Sequence, residues 1–278
     1  MRRIIRSVDY KRKTFYLVID GRRRGFYLTN RLAKTFFSHL RSGVLVDFVV
    51  YPHRKRIGQE YFRQVAYFTR IISLRPYFVH YDLLALRKEM KKVLMSNDKY
   101  LFIDFEMTMP GYRPRRFRSE IIQVGYALAS VNRDIEYADG FYVLPKSDRF
   151  LTRRTKRFLK IDDEIFFKEA VPYDVFYERL KAIIEAHRPK LVVWGKNDLT
   201  ALEDSYRLHE KKPLTTESDF IDLLKLHKDY YNLKDDLGLF KAYKRYYDND
   251  DLQKHDAEDD AIVTKHVFDA FIEQMQRT

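Results

Sequence analysis

The sequence predicts a layered α/β domain with a mixed central sheet flanked by helices, preceded by a small β-rich barrel. Three observations lead there. The first 75 residues alternate in the manner of strands and carry the chain's excess positive charge. From residue 99 onward, strand-like and helix-like stretches alternate. Acidic residues recur where those strands end and those helices begin. The expected organisation is a barrel over 1–75, a linker helix within 76–97 and the α/β domain over 98–278.

In the first part an opening strand is expected near Arg3–Val8. Thr14-Phe15-Tyr16-Leu17-Val18-Ile19 is rich in β-branched and aromatic residues and stops at the turn signal Asp20-Gly21. Gly25–Leu28 closes a hairpin with it. Residues 31–40 change to a helical period, with Leu32, Phe36, Phe37 and Leu40 on one side, Asn30 as the cap and Gly43 as the stop. Strands return over Val44–Tyr51 and Tyr61–Ser73. Residues 82–95 form an amphipathic helix whose apolar side is Leu83, Leu86, Met90, Val93 and Leu94.

In the second part Tyr100–Glu106 is an apolar strand ending in acids, Ile121–Leu128 is a second strand and Gly140–Leu144 a third. A helix covers Tyr173–Ala186. Leu191-Val192-Val193-Trp194 is a short apolar strand of the buried parallel kind. A helix starts near Asp198, a strand covers Asp219–Asp222, and a last helix runs over Asp256–Gln274.

Composition narrows the function. The chain of 278 residues has no cysteine, which excludes disulfides, zinc–thiolate sites and thiol nucleophiles and fits a reducing cytoplasmic setting. The basic start of the chain is followed by no long apolar segment, so neither a signal peptide nor a membrane span is expected. Residues 1–75 hold 18 Lys and Arg against four acids, and the remainder holds 35 against 36. A basic module beside a neutral one points to a polyanion. Docking on an anionic membrane is disfavoured, because the region reads as strands rather than a basic amphipathic helix.

The chemistry lies in four acids and a histidine. Asp104 and Glu106 are two apart on a strand, so they share a face at its C-terminal end, where α/β sheets bind ligands. Asp198 follows a buried strand. Asp260 falls on the same helical stripe as Ala257, Thr264, Val267 and Phe271, and a carboxylate on an apolar stripe is costly unless paired or bound to metal. His255 lies five residues earlier, about 140° around a continuous helix, so it must sit on the preceding loop to reach Asp260. Asp256, Glu258 and Asp259 are expected as solvated acids of the first turn. Four carboxylates in one pocket would hold hard cations such as Mg²⁺ or Mn²⁺, and an imidazole beside them supplies a base. Two metals plus a base is a common way to attack a phosphodiester with water.

The three motifs resemble those of the DEDDh 3′–5′ exonuclease superfamily. Asp104-Phe105-Glu106 matches its first motif, Asp198 its second acid-bearing motif, and His255-Asp256-Ala257-Glu258-Asp259-Asp260-Ala261 its third. The resemblance covers about residues 98–275. It implies an RNase H-like exonuclease domain in which Asp104, Glu106, Asp198 and Asp260 hold two divalent ions and His255 accepts the proton of the attacking water. Phe105-Glu106-Met107-Thr108, the Val193–Asp198 segment and the Glu120–Gly125 strand are most similar to the branch that trims RNA, which implies single-stranded RNA as substrate, with DNA as the alternative. The N-terminal strand order resembles the OB-fold, a barrel that binds single-stranded nucleic acid. Substrate contacts are expected from Met107, Thr108, Met109, Arg113, Arg115 and Arg116, and in the barrel from Phe15, Phe26 and Tyr27 beside Arg22, Arg23 and Arg24. The barrel could instead anchor the enzyme to a ribonucleoprotein particle. A non-catalytic nucleic-acid adaptor on the same scaffold is the contrasting reading, opposed by the intact set of acids.

Overall fold

The computed structural model describes residues 1–111, 117–146, 151–247 and 255–277. The chain divides into two compact units, Met1–Met90 and Lys91–Thr278.

The first unit contains β1 (Arg2–Ile4), β2 (Ser7–Asp9), β3 (Thr14–Ile19), β4 (Arg22–Tyr27), α1 (Asn30–Phe36), β5 (Leu45–Ile57), β6 (Glu60–Leu74) and β7 (Tyr77–Asp82). The sheet order is β1-β5-β6-β4-β3-β2, with β7 on β6. Ile5 N–H donates to Val44 O (2.8 Å) and Arg6 N–H to Tyr16 O (2.9 Å). One continuous opening segment thus borders both β5 and β3, and the sheet closes on itself. β4 and β6 pair in parallel, Gly25 against Phe62. The interior is filled by Phe15, Leu17, Phe26, Phe48, Val65 and Phe68.

Phe15 and Phe26, expected as stacking platforms, are therefore core residues. They are 0% and 2% exposed and stack on each other with centroids 5.5 Å apart. Both point to the closed side of the barrel, so neither offers a ring face to a base. Thr29, not Asn30, caps α1 by accepting from Leu32 N–H (3.3 Å), while the Asn30 side chain accepts from Lys13 Nζ. The strand β7 replaces the first part of the expected linker: Tyr77-Phe78-Val79-His80-Tyr81 is rich in aromatic residues and pairs back on β6 after the turn at Arg75-Pro76. The helix α2 (Leu83–Leu94) follows, capped by Asp82, whose Oδ1 accepts from Leu84 N–H (3.0 Å) and Ala85 N–H (3.2 Å). Leu83, Met90 and Leu94 are buried along it, but Leu86 and Val93 are exposed.

The second unit contains β8 (Tyr100–Met107), β9 (Ile121–Ala129), β10 (Ile135–Tyr142), α3 (Arg153–Leu159), α4 (Asp163–Glu169), α5 (Tyr173–His187), β11 (Lys190–Val193), α6 (Lys196–Leu208), β12 (Phe220–Asp222), α7 (Leu223–Tyr231), α8 (Leu239–Tyr247) and α9 (Ala257–Arg277). The sheet order is β10-β9-β8-β11-β12. β9 runs antiparallel to β8 and β10, and β11 runs parallel to β8 and β12, which makes the sheet mixed. β10 starts earlier than expected because the turn over Ser130–Arg133 is tight enough to begin pairing at Ile135.

The alternation of β8 assigns its two faces. Leu101, Ile103 and Phe105 join Phe176 and Leu180 of α5 in one core cluster. Tyr100 and Phe102 meet Phe268 of α9, at 5.0 and 5.2 Å between centroids. Asp104 and Glu106 continue that second row, so the strand delivers two carboxylates toward the start of α9.

Candidate active site

β11 ends at Val193, and Gly195 (φ +109°) turns the chain into α6. That backbone angle suits glycine, and it puts Asp198 in the first turn of the helix rather than at its cap. Asp198 is 6% exposed, and its Oδ1 accepts the N–H of Phe105 at 3.1 Å. The bond ties the carboxylate to the backbone between Asp104 and Glu106.

From the other side comes α9. Asp256 caps it: its Oδ1 accepts from the N–H groups of Glu258 and Asp259, each at 3.2 Å, and its Oδ2 accepts from Gln123 Nε2 of β9 at 2.8 Å. Asp256 is thus half-buried and structural, not a solvated acid. Gly125 of β9 lets the helix end come close, since a Cβ there would lie 2.0 Å from the carbonyl carbon of Ala257. Asp260, 4% exposed, follows one turn in. His255 precedes the helix with φ +55° and turns back. Its Nδ1 lies 4.0 Å from Glu106 Oε1, and ligand atoms of Glu106, His255 and Asp260 lie within 4.8 Å of one another.

Burial and mutual repulsion dominate the electrostatics. Burial, then the charges of Asp198, Asp260 and Glu106, push the Asp104 carboxyl well above the carboxylate range. Burial followed by Asp260 raises Glu106 to about 8. Burial raises Asp198 to about 7, against the opposing hydrogen bond from Phe105. Ionising these groups together is unfavourable unless positive charge joins them. Hard carboxylate oxygens with one imidazole suit a divalent cation, so the donor set fits the metal that the sequence implies.

The remaining expected contacts distribute differently. Thr108 is 3% exposed and engaged internally: its Oγ1 accepts from Glu120 N–H at 3.0 Å and its carbonyl accepts from Ser119 Oγ at 2.7 Å. Met107 packs against the core cluster, and Met109 is held through its backbone by Thr152 and Thr155. Arg113, Arg115 and Arg116 lie outside the described residues. In the barrel Arg22, Arg23 and Arg24 are exposed, and Tyr27 is half-buried with its hydroxyl donating to Gln64 at 2.8 Å. A cavity of about 540 Å³ opens there, lined by Tyr16, Arg23, Arg24, Arg54, Tyr61 and Arg63. Sequence reasoning missed the structural roles of Gln123, Asp256 and Gly125. Only Gln123 gave a signal, as a polar residue inside the apolar run Ile121-Ile122-Gln123-Val124.

Acids gathered at the carboxyl end of a mixed sheet, with a histidine turned onto them, make a donor set that fits a nuclease. Residues 101–268 match the family model described as Exonuclease, the RNase T type, and the chain belongs to that family. It is 30% identical over 176 residues to the probable 3′-5′ exonuclease KapD of Bacillus subtilis (strain 168), spanning 63% of this chain and 84% of KapD. Its fold is similar to the nuclease domain of 3′hExo, a DEDDh family member solved with rAMP bound (TM-score 0.55, 18% identity, 65% of this chain and 93% of that one). It is also similar to cell-death related nuclease 4, CRN-4 (TM-score 0.54, 22% identity, 64% of each chain). E. coli exonuclease I in complex with a dT13 oligonucleotide shares the fold over 65% of this chain and 42% of its own (TM-score 0.52, 16% identity).

Proposed function

We propose that the protein is a metal-dependent 3′–5′ exonuclease that shortens single-stranded RNA and releases nucleoside 5′-monophosphates, acting in the cytoplasm. The observation that carries the reading is the convergence of Glu106, His255 and Asp260 beside the half-buried Asp104 and the buried Asp198. Asp104, Glu106, Asp198 and Asp260 would hold the divalent cations, Mg²⁺ or Mn²⁺. Such cations supply the positive charge that admits an anionic phosphodiester to a pocket of carboxylates and polarises its phosphoryl group. His255 accepts the proton of the attacking water. Glu106 at its Nδ1 and the ring of Phe158, 4.4 Å away between centroids, set the orientation of the imidazole.

The preference for RNA rests on the RNA-trimming character of the segments around Asp104 and Asp198, on the rAMP held by the 3′hExo nuclease domain, and on the basic first unit. We read that unit as an OB-like domain for single strands. Its support is the closed sheet, the helix between β4 and β5, and the parallel pairing of β4 with β6. DNA is the second reading, since exonuclease I carries a dT13 strand on the same fold. The test incubates matched 5′-labelled RNA and DNA single strands with the protein and Mn²⁺ or Mg²⁺, with EDTA and Asp104→Ala as controls. The expected result is a ladder shortening from the 3′ end of RNA that both controls abolish. Faster shortening of DNA reverses the substrate and keeps the chemistry, whereas binding without shortening of either strand favours the adaptor.

A further inference from the structure

A pocket built from carboxylates repels the polyanion it must cut, so a strand approaching it needs cations along its path. The face of α3 next to the pocket supplies them. Arg153, Arg154 and Arg157, with Phe158, are all exposed, and their spacing puts them on one side of the helix. Thr155 and Leu159 are buried on the opposite side. The same four residues, with Pro110 and His255, line a cavity of about 740 Å³, within the range of ligand sites, about 300–1,000 Å³. His255 belongs to both this cavity and the catalytic cluster.

The helix is anchored to the catalytic strand. Met109, two residues beyond the end of β8, donates its N–H to Thr155 Oγ1 at 2.9 Å, and its carbonyl accepts from Thr152 Oγ1 at 3.1 Å. Thr152 also caps α3, accepting from Thr155 N–H at 3.1 Å. The arginines therefore stand at a fixed place relative to Asp104 and Glu106. No carboxylate among the described residues pairs with them, whereas the neighbouring Lys156 is paired with Asp163. Three guanidiniums without carboxylate partners among the described residues, held beside a cavity that opens at the catalytic histidine, have the chemistry of a phosphate grip.

We propose that Arg153, Arg154 and Arg157 form a subsite for the sugar–phosphate backbone of the strand on the 5′ side of its terminal nucleotide. The proposal rests on the nuclease reading and extends it: the preferred substrate is a strand several nucleotides long rather than a dinucleotide. Just over one turn separates Arg153 from Arg157, about 6 Å along the axis, so the two can reach different phosphates.

The test uses the full chain and two measurements. The first is KM against strand length, from a dinucleotide to a dodecamer. In the wild type KM falls as the strand lengthens. In Arg153→Ala/Arg154→Ala/Arg157→Ala that dependence flattens, and KM for the dodecamer rises about tenfold, the equivalent of about 1.4 kcal/mol. The corresponding triple Lys variant recovers most of the loss, because it keeps the charges. The second is binding of a labelled dodecamer in EDTA, followed by fluorescence anisotropy against salt. The triple Ala variant lowers the slope of log K against log[salt] by about 2, given ~0.7 per phosphate contact on single strands. Wild-type length dependence and salt slope in the triple Ala variant, or an equal loss on dinucleotide and dodecamer, overturn the proposal. A wild type that cuts nothing while the slope still falls removes the nuclease reading and leaves the phosphate grip standing.

Discussion

Burial and neighbouring carboxylates hold the Asp104, Glu106 and Asp198 carboxyls above their ordinary range in the metal-free fold, and this has a sign that can be measured. Glu106 titrates near about 8 when folded, against ~4.3 for an unperturbed Glu. A carboxyl raised in this way contributes stability that is complete below the unfolded value and is lost as pH rises through the folded one. Asp104 and Asp198 act in the same direction. Thermal unfolding in EDTA should therefore give a higher Tm at pH 5.5 than at pH 8.5, and millimolar Mg²⁺ or Mn²⁺ should restore stability at the higher pH. Asp104→Asn should raise the metal-free Tm at pH 8 by about 2–4 °C, the effect of ~1 kcal/mol in a domain of this size, while removing turnover. A metal-free Tm that is flat with pH, or falls in the variant, would show that the acids are not crowded. His255→Ala should behave differently. Loss of a general base costs a factor of about 10²–10⁴ in rate, with little change in RNA binding measured by anisotropy. Full activity at neutral pH would remove His255 from the base role.

At the scale of elements, the site depends on how closely α9 approaches the sheet. Gly125 sets that distance, because any Cβ would overlap the backbone at Ala257 and Glu258, which cannot yield as a flexible side chain does. Gly125→Ala must push the start of α9 outward, taking His255 and Asp260 with it. Overpacking of this kind costs about 1–3 kcal/mol, so a lowered Tm should accompany a fall in kcat of at least tenfold, with the acids all intact. Unchanged kcat would mean that the helix end tolerates displacement. The same elements show what was readable in advance. β8 announced itself as an apolar run closing in two acids, and α9 by a carboxylate on an apolar stripe, because those patterns are local. Gly125 was silent, since its constraint comes from a helix more than a hundred residues later. The seven-residue α3 was silent too, being too short for a periodic signal. Phe15 and Phe26 misled because barrel closure, a long-range event, decides which face of β3 and β4 is inside. The burial of Thr108 was not readable either, because its partner, Glu120, comes from across the loop.

On the scale of the molecule, the positive charge resides in the first unit and the chemistry in the second. The basic face of the barrel is assembled from separate strands: Arg23 and Arg24 from β4, Arg54 from β5 and Arg63 from β6. Arg23 lies over the Tyr16 ring with its guanidinium carbon 3.6 Å from the centroid, and the hydroxyl of Tyr16 is taken by Glu60 at 2.7 Å. That contact fixes one cation and leaves Arg24, Arg54 and Arg63 around the cavity, with Tyr61 64% exposed beside them. A backbone held by such charges is bound without regard to sequence, and the binding weakens with salt. Arg24→Ala/Arg54→Ala/Arg63→Ala should thus weaken a labelled single-stranded RNA of about 20 nucleotides most strongly at low salt and reduce the salt slope by about 2, at ~0.7 per contact. Tyr61→Ala should act otherwise: base stacking is worth about 1–3 kcal/mol per base and carries no counterion release, so affinity should fall at every salt concentration with the slope unchanged. Hydrolysis of a dinucleotide, which is too short to need a second domain, should persist in both variants. If the arginine variant bound the long strand as the wild type does but lost dinucleotide hydrolysis, the barrel would be supporting the catalytic unit rather than gripping RNA.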